Sequence, residues 1–496
     1  MRVTANYGHL AQPKKERRLG HRILKNILAL GTGQLVTMLS GVVTAVVLAR
    51  ALGPAVYGIL GFGAALISYF GLLVNMGMDV HGIREISRKP LHGPRLVTLV
   101  ILMRLILAIL LFSILVLSLP YFAWSEKVRN VLLIQGLGLF GVALIVDFYF
   151  QAQQRMGIVG FRQGGAAVVG VLATIALIEE PGDLEVAAAI PALTLIFSSA
   201  ILLGFFWHNA KNIESPETAV SRLSFLLKSL PVALMGILAT IYINLDIIIL
   251  GYLVDETNVG KYVAASRVAL IATVLPSVIQ SAFLPTLSKV KGNHIKDKIV
   301  VEGHARAICF LGGLVGGFGV LMAPAIIELL FGPEFAEASL ALKILMAHIF
   351  VFYLTQAYGT PLLAWQFDKG YTTVLVVGAI INIALNIVLI PRIGIEGAAL
   401  ATLITQLAIG LFLMAFAHKA FGIKHYSLIA RVIIVTIVSY TISHSVIESL
   451  SIFSLTIPVV FLIVFGGGYI LIYTTLSMFL GVIRKTDVQS FTHTPD

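Results

Sequence analysis

Cysteine is almost absent from this chain, and charge is scarce. One residue of 496 is Cys, and Asp, Glu, Lys and Arg together make up only 12%. A soluble domain carries roughly a quarter charged residues. The lone thiol, Cys309, lies within an apolar run, which excludes a disulfide framework. With 58% apolar residues and a mean hydropathy of +0.96, the chain is neither a soluble globular domain nor a disordered one. A phosphate-binding Walker loop is missing, and the 12 histidines are scattered, mostly through loops and tails. No metal or nucleophile constellation follows from them, and catalysis is not expected. The net charge of +11 does not imply a nucleic-acid partner. In a hydrophobic chain, excess Lys and Arg reports membrane topology. The first apolar run is followed by more apolar runs, so no cleavable signal peptide is expected.

What is present is a succession of apolar runs. A helix needs about 20 residues to cross the hydrocarbon. Fourteen runs qualify, and their continuous apolarity argues for helices rather than barrel strands. A basic tail at 1–26 precedes six spans within 27–207. A polar linker at 208–230 separates these from six more within 231–417. Two extra spans occupy 428–480, and a tail covers 481–496. Most Lys and Arg fall in alternate connections: Lys14, Lys15, Arg17 and Arg18 before the first span, Arg84, Arg88, Lys89 and Arg95 after the second, and Lys289, Lys291, Lys296 and Lys298 after the eighth. The connection after the fifth span carries only Glu179, Glu180, Asp183 and Glu185. This alternation predicts an even number of crossings with both termini cytoplasmic. Weak echoes between the halves, such as the Gly-and-Tyr turns at 53–58 and 256–262, fit a duplicated plan or simply turn chemistry.

Polar and ionisable residues inside the spans are the candidate functional groups. A charge at the bilayer centre costs about 2.5–3.5 kcal/mol on insertion scales, so it calls for a partner or a role. Arg104, Asp147, Arg162, Asp246 and Arg267 lie within spans. Spacing across helical hairpins suggests two salt bridges, Asp147 with Arg162 and Asp246 with Arg267. Arg104 has no acid close in sequence, which favours a functional role. Arg50 sits at a span boundary, where snorkelling accounts for it. Asp79, Arg84 and Glu85 read either as a gate network or as a solvated loop. Asn382 and Asn386 share a helix face, as Thr402, Thr405 and Gln406 do further on. These amides suit a wet cavity or close helix packing.

Several stretches resemble one known family. They begin with GTGQLVTMLSGVVTAVVLARALGPAVYGILGFGAALISYF, followed by Gly77-Met78-Asp79 and Gly82-Ile83-Arg84-Glu85-Ile86. They continue with Asn244-Leu245-Asp246 running into Val259-Gly260-Lys261-Tyr262 and Ala265-Ser266-Arg267, then Leu284-Pro285, and finally Asn382 to Asn386 followed by Pro391, Gly394 and Gly397. In order and spacing they resemble the polysaccharide transporters, the O-antigen-type oligosaccharide flippases of the multidrug/oligosaccharidyl-lipid/polysaccharide superfamily. The resemblance implies an all-α polytopic membrane protein of about fourteen transmembrane helices. Two six-helix lobes in a V-shaped arrangement would carry two extra C-terminal helices. It also implies alternating access in a prokaryotic plasma membrane, with a polyprenyl-(pyro)phosphate-linked oligosaccharide as substrate. Membrane lipids are the expected surroundings, and other polysaccharide-assembly membrane proteins are conceivable partners.

On that reading Arg104 and Arg267 would hold phosphate, with Arg50 and Arg162 as secondary candidates and Asn382 and Asn386 lining the passage. Asp246 and Asp147 would position those arginines or carry a coupled Na+ or H+, and no other cofactor is expected. Pro191, Pro276, Pro324 and Pro361 would supply kinks. A lipid II-type flippase is the nearest alternative, although the span 27–49 lacks the arginines expected of one. A cation-coupled multidrug exporter is a second, disfavoured by the extra helices and by arginines that at least match the acids.

Overall fold

A computed structural model describes residues 13–210, 222–289, 294–450 and 458–483. The described residues are mostly helical, and none forms a strand. The helices are α1 (Pro13–Asn75), α2 (Met78–Arg88), α3 (Gly93–Ser118), α4 (Glu126–Gly136), α5 (Gly138–Ala143), α6 (Asp147–Ala152), α7 (Met156–Leu177), α8 (Leu184–Ala210) and α9 (Arg222–Leu253). They continue with α10 (Glu256–Ala272), α11 (Val274–Lys289), α12 (His294–Phe331), α13 (Ala338–Ala364), α14 (Asp368–Phe421), α15 (Tyr426–Leu450), α16 (Pro458–Phe461) and α17 (Gly467–Phe479).

Eleven helical stretches among the described residues are long and apolar enough to cross a membrane, against fourteen runs read from the sequence. Two of the eleven are of double length. The 63-residue α1 is broken at Gly53, whose φ of 72° suits glycine, and Pro54 follows at once. The 54-residue α14 is broken at Ile393 and Gly394, just after Pro391. By contrast Pro191, Pro324 and Pro361 lie inside helices that stay continuous. Ile106, Ile109, Leu110 and Leu117 on α3 face outward, a surface that only lipid would satisfy.

The chain divides into two compact units. The first comprises residues 1–51 and 66–237, and the second 52–65 and 238–496. In the first, α3 and α6 build a core of Val97, Val100, Phe148 and Phe150, joined by Phe206 of α8 and Phe225 of α9. The fourth apolar run of the sequence, at 130–153, is not one helix. It is broken into α4, α5 and α6, and the break around residues 144–146 takes the Ile145 carbonyl out of the helical ladder.

In the second unit, buried tyrosines tie helices together through their hydroxyls. Tyr353 on α13 donates to the Ala272 carbonyl at 2.8 Å. Tyr469 and Tyr473 on α17 donate to the carbonyls of Gly313 and Phe310 on α12 at 2.8 and 2.9 Å. The Gly-rich face of α12 therefore receives the last helix. Each buried hydroxyl–carbonyl bond contributes about 1 kcal/mol. Tyr469→Phe and Tyr473→Phe should each destabilise the purified protein by about that amount in denaturation measurements. A loss well above it would indicate that the tyrosine rings, too, had been displaced.

Candidate functional site

The first unit holds two ion pairs with buried guanidinium groups, and the broken fourth run contributes to each: the Ile145 carbonyl to one and Asp147 to the other. Arg104 of α3 reaches the Ile145 carbonyl at 3.1 Å through Nη1. Its Nη2 donates to Asp79 Oδ1 at 2.7 Å and also to the Asn75 side-chain oxygen. The Phe148 ring lies 5.5 Å from the guanidinium carbon. Asn75 Nδ2 in turn donates to Asp79 Oδ2 at 3.0 Å. Arg104 has no acid close in sequence, yet the fold supplies one. Asp79 lies 25 residues upstream, and the short turn at Met76 and Gly77 folds α2 back so that its first turn meets α3.

The second pair is the one that hairpin spacing suggested. Asp147, at the start of α6, receives Arg162 in fork geometry, with Nε to Oδ1 at 2.7 Å and Nη2 to Oδ2 at 2.6 Å. Gln163 adds a bond to Oδ2 at 3.2 Å. Bidentate pairing of this kind is geometrically selective and strong. The Arg104 and Arg162 guanidinium groups are therefore both engaged by carboxylates.

The expected Asp246–Arg267 bridge is not what the second unit contains. Asp246 accepts from the Tyr262 hydroxyl and, at 2.8 Å, from the Ile247 amide. Arg267 instead hydrogen-bonds the Tyr57 hydroxyl. The reason is helical phase: Arg267 is five residues beyond Tyr262, so about 140° further round the helix at 3.6 residues per turn. Arg267 and Arg50 are both exposed, whereas Asp246 is buried.

Asp246 is one of several buried polar groups in the second unit. The Tyr262 phenol also meets the Thr402 side chain. On α14, Asn386 donates to the Asn382 carbonyl and side-chain oxygen, both at 3.0 Å. Gln406 donates to the Thr355 hydroxyl at 3.0 Å. Asn382 and Asn386 are 3% and 0% exposed, so at rest they sit in the protein interior and do not line an open passage. The Asn386 side-chain oxygen and the Thr405 hydroxyl are buried without a protein hydrogen-bond partner. Among the described residues, no group of three or more His, Cys, Asp or Glu could hold a metal ion. Outside the spans, burial pulls the His425 imidazole down to about 4, with nearby Glu302 opposing and Arg306 adding to the effect. It is neutral at physiological pH and contributes no charge switch there.

Sequence reasoning passed over three partners. Tyr57 and Tyr262 are visible in the sequence only as turn residues, and Asp79 only as part of a gate network or a solvated loop. The available signal was the i, i+4 spacing of Asn75 and Asp79, which puts an amide and an acid on one face.

Among the described residues, apolar helices without strands, carrying charge pairs and buried amides in their interiors, define a multi-pass membrane protein. The chain belongs to the polysaccharide biosynthesis protein family, whose profile matches residues 23–291. A putative O-antigen transporter of Shigella dysenteriae is 24% identical over 364 residues, covering 71% of this chain and 88% of the relative. A probable low-salt glycan biosynthesis flippase, Agl15, of Haloferax volcanii is 24% identical over 458 residues, covering 88% and 92%. Among solved structures, the lipid II flippase MurJ in an inward closed conformation superposes with a TM-score of 0.73 at 14% identity. That alignment covers 91% of this chain and 98% of MurJ, and it speaks to the fold.

Proposed function

We propose that this protein is a flippase that moves polyprenyl-(pyro)phosphate-linked oligosaccharide from the cytoplasmic to the outer leaflet by alternating access. It acts as a transporter, not a catalyst, in cell-surface polysaccharide or glycan assembly. The observation that carries the reading is family membership together with relatives named as O-antigen transporter and glycan flippase over most of their length. The chemistry agrees. A sugar head cannot enter hydrocarbon without replacements for its bonds to water. Buried amides can supply these if they become exposed during the cycle, and guanidinium groups can hold the phosphates. The basic connections support a reading with both termini in the cytoplasm of a prokaryotic cell.

Of the four arginines, Arg267 and Arg50 fit the phosphate-holding role best. Both are exposed, whereas the Arg104 and Arg162 side chains are 1% and 10% exposed. Asp246, with Tyr262 and Thr402, is the candidate for Na+ or H+ coupling. Asp147, engaged by Arg162 in fork geometry, is the weaker candidate. A lipid II-type substrate is the second reading, favoured by the fold shared with MurJ.

Deleting the gene and analysing the lipids tests the proposal. Polyprenyl-linked glycan should accumulate on the cytosolic leaflet. Unchanged glycolipids with altered drug tolerance would overturn the flippase reading in favour of an exporter. Arg267→Ala at matched protein levels should lower flipping roughly 10- to 100-fold, as loss of a charged hydrogen bond of about 1.5–3 kcal/mol implies.

A further inference from the structure

The first unit gathers basic side chains from two stretches far apart in sequence. At the turn between α1 and α2, the backbone comes so close to α9 that a Cβ on Gly77 would lie 2.8 Å from the Ser229 carbonyl oxygen and 2.9 Å from the Ala233 nitrogen. One turn into α2, the buried His81 ring packs on Phe225 of α9 with centroids 4.7 Å apart. This clamp orients the remaining residues. Arg84 and Arg88 of α2 and Lys228 of α9 all act electrostatically on the His81 ring, with Glu85 as the one acid among them. All three cations are exposed, and exposed Lys89 continues the patch.

The surface beside the cations is apolar. Leu227 and Leu230 flank Lys228 at 58% and 38% exposure, and Leu91 follows Lys89 at 62%. Leucines left open next to cations mark the level at which acyl chains give way to headgroups. A soluble acidic partner would leave those leucines uncovered, whereas a lipid covers both parts.

We infer that Arg84, Arg88 and Lys228 form a docking site for the diphosphate of a lipid-linked glycan as it arrives in the leaflet, before it enters the protein. The inference rests on the flippase reading for the identity of the lipid. The anion meets guanidinium forks and an ammonium while its chain stays among the leucines. Glu85 tempers the patch, which favours reversible capture over tight retention.

The test is equilibrium binding of a fluorescent polyprenyl diphosphate to the full chain in phosphatidylcholine nanodiscs, with and without phosphatidylglycerol. The Arg84→Gln, Arg88→Gln, Lys228→Gln variant should keep its thermal midpoint, because all three side chains are exposed. It should lose affinity about fivefold for each cation removed. The loss should shrink as salt is raised, and Arg84→Lys with Arg88→Lys should retain most of the affinity. Unchanged affinity in the neutralised variant would overturn the docking site. So would displacement of the probe by phosphatidylglycerol at equal mole fraction, which would mark a general anionic-lipid surface. If the unaltered protein failed to bind the probe at all, the flippase reading itself would fall.

Discussion

Asp79→Ala should destabilise this protein by about 3–5 kcal/mol, more than removing the arginine with which Asp79 pairs. The asymmetry comes from burial. The Arg104 side chain is 1% exposed and the Asp79 side chain 31%. Without Asp79, the guanidinium keeps the Asn75 oxygen, the Ile145 carbonyl and the Phe148 face, but no counter-charge. It has no route to water, so its charge stays uncompensated in a medium of low dielectric. Arg104→Met is different. It fills most of the same volume, and the orphaned carboxylate can rehydrate, so the cost should be nearer 1–2 kcal/mol. Combining Asp79→Asn with Arg104→Met should recover part of the Asp79→Ala loss. Thermal midpoints of purified variants in one detergent check the order. A protein in which Arg104→Met is the less stable single variant would show that the carboxylate, not the guanidinium, is the sequestered charge. The same variants bear on transport. If Arg104 bound substrate phosphate, Arg104→Met would abolish flipping at a stability cost of only about 1–2 kcal/mol.

How much of this was legible beforehand depended on the range of each interaction. The apolar runs were plain, because crossing a bilayer imposes a length and composition that few other pressures produce. Asp147 and Arg162 were paired correctly, because a short connection brings residues 15 apart to the same depth of adjacent helices. Asp79 and Arg104 were not, since their approach requires the turn at Gly77 and an extra helix, α2, between the spans. The fractured fourth run was also hidden. Residues 144–146 are Leu, Ile and Val, which suit a continuous apolar helix as well as a break. The candidate site shows the same limit. Asp246 was singled out for its cost in hydrocarbon, but its partner was chosen by charge. The chain chose by helical phase and used a tyrosine. Assigning residues 52–65 to the second unit depends wholly on packing between distant segments, which no local pattern reports.

That same segment carries the other large expected effect. Gly260→Ala should displace residues 52–65 from α10, destabilise the second unit by at least about 2 kcal/mol, and abolish transport. A Cβ on Gly260 would lie 1.9 Å from the Pro54 carbonyl oxygen, and one on Gly58 would lie 2.0 Å from the Glu256 carbonyl oxygen. The two helices touch main chain to main chain at reciprocal glycines, as small residues permit between membrane helices. No rotamer change relieves such a clash, because Cβ is fixed by the backbone and the opposing atom is backbone too. Gly251 gives a contrast. Its Cβ would meet the Phe62 ring at 2.1 Å, and a side chain can move, so Gly251→Ala should cost less than Gly260→Ala. Gly303, on α12, supplies the control. Nothing lies within 4 Å of a Cβ there, so Gly303→Ala should be neutral or should stabilise by up to about 1 kcal/mol through helix propensity. Thermal midpoints and cellular flipping, measured across the three variants, should therefore fall in the order Gly303→Ala, Gly251→Ala, Gly260→Ala. If Gly260→Ala behaved like Gly303→Ala, the main-chain contact at Pro54 would not exist in the working protein. Residues 52–65 would then hold to the second unit through side chains alone, chiefly Tyr57 against Phe335 and Arg267.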